Sequence, residues 1–180
     1  MMREKLRGMK REEILKKVFE LGFNNEKRYK GCSQSALVAV QDVFGLQNPE
    51  VFKSATSLAG GVGDSTLGQC GALSGGVMIL SYLYGRDKND FDHRDLKSYY
   101  EACELVKKLI NKFNEEYGSI MCKDIQTKIF GRSYNLWDSE DLEAFEKAGA
   151  HTDKCTTVVG KAARWVAEII LDKEKIGKQV

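Results

Sequence analysis

The stretch from Asp95 to Tyr117 constrains the fold of this chain more than any other feature. Leu96, Tyr99, Cys103, Val106, Ile110, Phe113 and Tyr117 recur there at alternating steps of three and four. That spacing lays all seven along one stripe of a helix and scatters them over both faces of a strand. The helical period returns at Ile14, Leu15, Val18 and Phe19, at Ala36, Leu37, Val40, Val43 and Phe44, and at Val158, Val159, Ala162, Val166, Ile169 and Ile170. Pro49 is the one proline, and no segment alternates apolar with polar residues. The pattern predicts an all-α fold, a single compact multi-helix bundle of six to eight helices occupying 1–180. A chain of 180 residues can bury such a core without covalent staples.

Local signals place the helix ends. Residues 1–28 carry an N-terminal helix, and a second begins at Cys32. Asn48 before Pro49 is an N-cap followed by proline at the first helical position. That helix should carry Phe52, Ala55 and Ala59 and stop at Gly60-Gly61. A glycine-rich loop, 60–68, feeds a glycine- and alanine-rich helix from about Cys70 to Tyr84. It is apolar nearly all round and should be the most buried element. Cys103 lies mid-stripe in the long helix and reads as a small buried core residue. Ser119 can cap a short helix, Asp138 or Ser139 another, and Thr152 or Asp153 the last. The charged tail, 173–180, should fray. No repeat or linker divides the chain.

Charge excludes some partners. Lys plus Arg total 28 and Asp plus Glu total 26, a net charge of +2. Nothing in that balance points to nucleic acid or an anionic membrane. The longest apolar stretch, 73–84, is too short to span a bilayer. The basic N-terminus leads into no apolar run, so we expect no secretory leader and a cytoplasmic location. A homodimer is compatible with the chain.

Four of the five cysteines share one setting. Cys32, Cys70, Cys122 and Cys155 each stand where a loop becomes a helix. A helix start carries unpaired N–H groups and partial positive charge, which lowers a thiol pKa and favours the thiolate. If the four starts converge, their thiolates can hold an iron–sulfur cluster, or zinc in a tetrahedral site. The absence of close Cys-x-x-Cys pairs, which the usual metal ribbons share, also counts against a metal-free thiol–disulfide oxidoreductase, but distant cysteines can pair in space, so that reading stays open. Gly71, Gly75 and Gly76 should lie near the pocket, where a side chain would compete for space.

In order, Cys32, the Cys70-Gly71-Ala72-Leu73-Ser74-Gly75 segment, Cys122 and Cys155 resemble the redox-active protein family named for its pattern C_GCAxxG_C_C. The resemblance covers about 29–170. The family is similar to the non-haem part of split-Soret cytochromes, where a four-cysteine pocket has been proposed to hold an iron–sulfur centre. The resemblance implies a redox-active, cluster-binding protein and supplies no substrate; from the four cysteines we expect a role in electron transfer or redox sensing, with an unnamed redox partner and no assigned catalytic residue. The chain has no Cys-x-x-Cys-His, so covalent haem is not expected.

Other residues read more plainly. His151, in a polar loop four residues before Cys155, reads first as a surface or capping histidine and second as a ligand or proton donor. His93 should be solvated. Trp137 and Trp165 read as core or interface residues. The 60–68 loop lacks a P-loop lysine and should shape the backbone around Cys70.

Overall fold

The computed structural model describes residues 2–176, with Arg3 as backbone only, and is helical throughout. In chain order the helices are α1 (Met2–Lys5), α2 (Arg11–Tyr29), α3 (Cys32–Phe44), α4 (Pro49–Ser54), α5 (Gly71–Tyr84), α6 (Lys88–Asp92), α7 (Lys97–Tyr117), α8 (Cys122–Phe130), α9 (Ser139–Lys147) and α10 (Cys155–Lys173). A 3₁₀ turn at Thr56–Leu58 follows α4, and a π turn at Ala150–Lys154 leads into α10. Among the described residues there is no strand, only one antiparallel bridge between Gln69 and Met121.

Apolar faces dictate the packing. Helix α2 lies along α10, α3 packs on α2, α5 and α10, and α7 covers the outer side of α5. Their shared core includes Ile14, Leu37, Phe44, Leu73, Leu109 and Ile170. A smaller cluster of Tyr134, Phe145 and Ala150 joins α8, α9 and the π turn. Helix α5 is buried through its first six residues, but Ser81 and Tyr82 reach solvent. Helix α3 is buried at least as completely, because partners surround it on three sides.

Close backbone crossings depend on α5's glycines. A Cβ on Gly75 would stand 2.2 Å from the Ser33 carbonyl oxygen of α3. One on Gly76 would meet Leu109 and Val166, both at 2.7 Å, so this glycine serves the α7 and α10 contacts rather than the cysteine pocket.

Several expectations need correcting. The buried face of α7 is Ala102, Leu105, Leu109, Phe113 and Tyr117, so the expected stripe holds at Phe113 and Tyr117 and fails in the first half of the helix, at Cys103. Cys103 is exposed, as are Leu96 and Tyr99. Both columns are apolar, and the one that meets α5 wins. Helix α4 ends at Ser54, before Ala55 and Ala59, and Phe52 is exposed. Trp137 is exposed, whereas Trp165 packs edge-on against Phe113 at 5.3 Å between ring centroids. Neither Thr152 nor Asp153 caps α10, whose start is set by the π turn after Gly149. At the tail, α10 runs to Lys173 and Ile176 packs on the core; 177–180 lie outside the described residues.

Candidate metal centre

Side chains cap some helices and not others. Asn48 accepts from the Val51 N–H at 3.1 Å, Asp87 from Asp90 at 2.9 Å, and Asp138 from Asp141 at 2.9 Å. Helices α3, α5, α8 and α10, which carry the four cysteines, have no side-chain N-cap. At α5 the Ala72 and Leu73 N–H groups turn to the Cys70 sulfur, whereas at α8 and α10 the first N–H groups donate to backbone carbonyls, Cys122 to Gly68 and Cys155 to Ala150.

All four of these starts open on one cavity of about 440 Å³, lined by Cys32, Cys70, Cys122 and Cys155. Cys70 and Cys122 are held side by side by backbone pairing around the Gln69–Met121 bridge. The Cys70 N–H donates to the Ile120 carbonyl at 2.8 Å, and the Cys122 N–H to the Gly68 carbonyl at 2.9 Å. The glycine-rich loop forms another wall. Gly60, Gly61, Val62, Gly63, Asp64 and Thr66 all have positive φ, a run that side chains disfavour and that curls the backbone around the sulfurs. A Cβ on Gly61 would stand 2.7 Å from the Cys122 Cβ. Exposed Trp137 pins this loop by donating its Nε1–H to the Gly63 carbonyl at 2.8 Å.

Gly71 lies where it was expected: a Cβ there would be 2.4 Å from the Cys32 Sγ. Gly75 sits one helical turn further on and adjoins Ser33 of α3, so it sets the crossing that carries Cys32.

The thiols are not lowered. Burial, then Glu26 and Cys70, push Cys32 well up, against the Gly60 N–H that lowers it. Burial and Cys122 push Cys70 up to about 12, although the Ala72 and Leu73 N–H groups oppose this. Burial and Cys32 push Cys122 up to about 12, while Gln126 opposes. Burial, then the other three cysteines together with Glu26, raise Cys155 well above the usual range. The helix starts act in the expected direction, but dehydration and mutual repulsion outweigh them. Without a cation these groups are neutral thiols. All five cysteines are unpaired.

Sequence reasoning missed the carboxylates of the polar wall and ranked a site role for His151 second. Glu26 of α2 is 2 % exposed and lines the cavity. His151 lies opposite, with its side chain 16 % exposed, Nε2 3.5 Å from Glu26 and Nδ1 2.9 Å from Glu146. It is a cavity residue rather than a surface one. Burial opposes its charge, but the two carboxylates outweigh burial and raise its pKa. Lys30 donates to Glu146 at 2.5 Å. Gln126 donates its amide to Cys122 Sγ at 3.7 Å and accepts from the Tyr134 N–H at 2.9 Å. His93 is exposed, as expected. The spacing of Glu26 from Cys32 resembles no motif, and only the π turn brings His151 inward.

A family model described as "Putative redox-active protein (C_GCAxxG_C_C)" matches residues 31–169. The chain belongs to this family, and the four matched cysteines are those that line the cavity. No curated protein and no solved structure matches the chain. No helix among the described residues is long and apolar enough to cross a membrane.

Proposed function

We propose that this redox-active protein holds an iron–sulfur cluster on Cys32, Cys70, Cys122 and Cys155 and serves in electron transfer or redox sensing. One observation carries the reading: four thiols from four helix starts without side-chain caps line a single cavity. The donor set suits iron, zinc or a cluster. Among the described residues no group of His, Cys, Asp or Glu already stands at the spacing of one bound ion. A cavity of about 440 Å³ is large for a tetrahedral zinc and suits a bulkier group with ligands further apart. When bound, the cluster supplies one-electron chemistry.

The chain's own residues do the rest. The thiols give up their protons to become ligands, a change that burial alone resists. The Gly60 N–H at Cys32 and the Ala72 and Leu73 N–H groups at Cys70 offset part of the resulting negative charge. The Gly60–Gly68 loop and the α8–α9 cluster limit water. Thiol–disulfide exchange is less well supported, because it needs a ready thiolate and these thiols are raised. Protein purified without oxygen should be brown and contain iron and acid-labile sulfide. A colourless protein with stoichiometric zinc would replace the cluster by a structural metal, and one free of metal with reversibly oxidised cysteines would favour thiol exchange.

A further inference from the structure

One group in the cavity is not explained by four thiols. Glu26 Oε1 faces His151 Nε2 at 3.5 Å, while Oε2 is fully buried and has no hydrogen-bond partner. An unpartnered buried carboxylate oxygen is costly, and such charges are normally paired or bound to metal. Glu26 lines the cavity with the cysteines.

We propose that Glu26 is a fifth ligand of this site, its Oε2 binding a metal ion held by the cysteines, with His151 as the positioning residue that orients it. The proposal rests on the reading of the four cysteines as metal ligands. Iron and zinc both accept thiolate together with carboxylate. The support behind Glu26 has the form of an outer shell: His151 bridges Glu26 and Glu146, and Lys30 holds Glu146. Glu26, Glu146 and Asp64 line the cavity with the four sulfurs, so a bound cation is needed before thiolates can join these carboxylates. The side chains must close on the metal as it binds, since none are grouped at single-ion spacing beforehand.

Cobalt(II) is the probe, titrated without oxygen into the reduced, metal-free full chain, because its visible bands report ligand identity and geometry. Glu26→Gln should weaken cobalt binding by about ten- to a hundredfold and shift the visible bands. His151→Gln should weaken it less, with Glu26 still bound. The metal-free Glu26→Gln protein should melt close to the native protein, because the substitution keeps an oxygen for His151 and replaces only a carboxylate oxygen that has no partner. Glu26→Asp, which keeps the charge but shortens its reach, should also shift the bands. Native affinity and bands in both Glu26 variants would overturn the proposal, and so would a large fall in melting temperature of metal-free Glu26→Gln, which would make Glu26 a structural partner only. Cys70→Ser separates the two readings. If it binds cobalt as the native chain does, the four-cysteine reading fails; if it loses cobalt while the Glu26 variants do not, only the fifth ligand fails.

Discussion

The five cysteines of this chain occupy two regions that differ in nearly every physical respect. Four sit at one end of the bundle, at helix starts with no side-chain cap, buried or half-buried around a cavity that includes buried carboxylate and imidazole. Cys103 sits mid-helix on α7, exposed beside a groove lined by Val77, Phe91, Tyr99 and Val106. There Arg86 stacks over Phe91 and Tyr99, at 4.8 Å and 5.4 Å from the ring centroids. What separates them is where the chain leaves helix starts without side-chain caps and polar groups unpaired.

Thiol reactivity should break this comparison open most sharply. With Cys70 and Cys122 pushed up to about 12, their thiolate fraction at pH 8 is roughly a thousandfold below that of an ordinary thiol. In metal-free protein, Cys103 should react with iodoacetamide first, and mass mapping should find the site cysteines unmodified. Their reaction should accelerate as pH climbs toward 12. Early labelling of Cys70 at pH 8 would show that the helix starts outweigh burial after all.

Packing substitutions should differ next. Gly75→Ala drives a Cβ to 2.2 Å from the Ser33 carbonyl and should cost about 1–3 kcal/mol by denaturant unfolding, with loss of the cysteine geometry. Cys103→Ala, at an exposed position, should stay within about 0.5 kcal/mol of the native protein. Equal losses would mean that the α7 face is covered in solution.

A further contrast concerns pH. His151 has a raised folded pKa, so its bonds to Glu26 and Glu146 contribute fully below the unfolded value near 6.5. That contribution fades as pH rises through the folded value. Glu146 is lowered: burial opposes this, but Lys30 and His151 outweigh it, so its share is present above the usual glutamate range and lost as pH falls. His151→Gln should therefore cost about 1–3 kcal/mol near pH 6, and the gap should shrink as pH rises. A gap that widens with pH would contradict this assignment of charges.

Much of the fold was legible in the sequence because helical period and caps are local. Asn48-Pro49 and Asp138 behave as their chemistry requires. The four helix starts at the cysteines were legible too, and with them the candidate site. The phase of α7 was not, because the Cys103 and Leu105 columns are neighbouring apolar stripes and only the partner helix chooses between them. Glu26 and His151 were hidden for a different reason. One lies on an amphipathic helix among other charges, and the other is turned inward by a π turn that no periodicity announces. The thiol pKa values were misjudged because sequence displays the local dipole but not the dehydration of a cavity assembled from distant segments.

The account turns on the separation of four cysteines from the fifth. The most direct measurement is iron and acid-labile sulfide content in five single Cys→Ser proteins purified without oxygen. We expect cluster iron and sulfide to fall sharply in the Cys32, Cys70, Cys122 and Cys155 variants and to match the native protein in Cys103→Ser. Native content in any of the first four, or loss in the last, would contradict it.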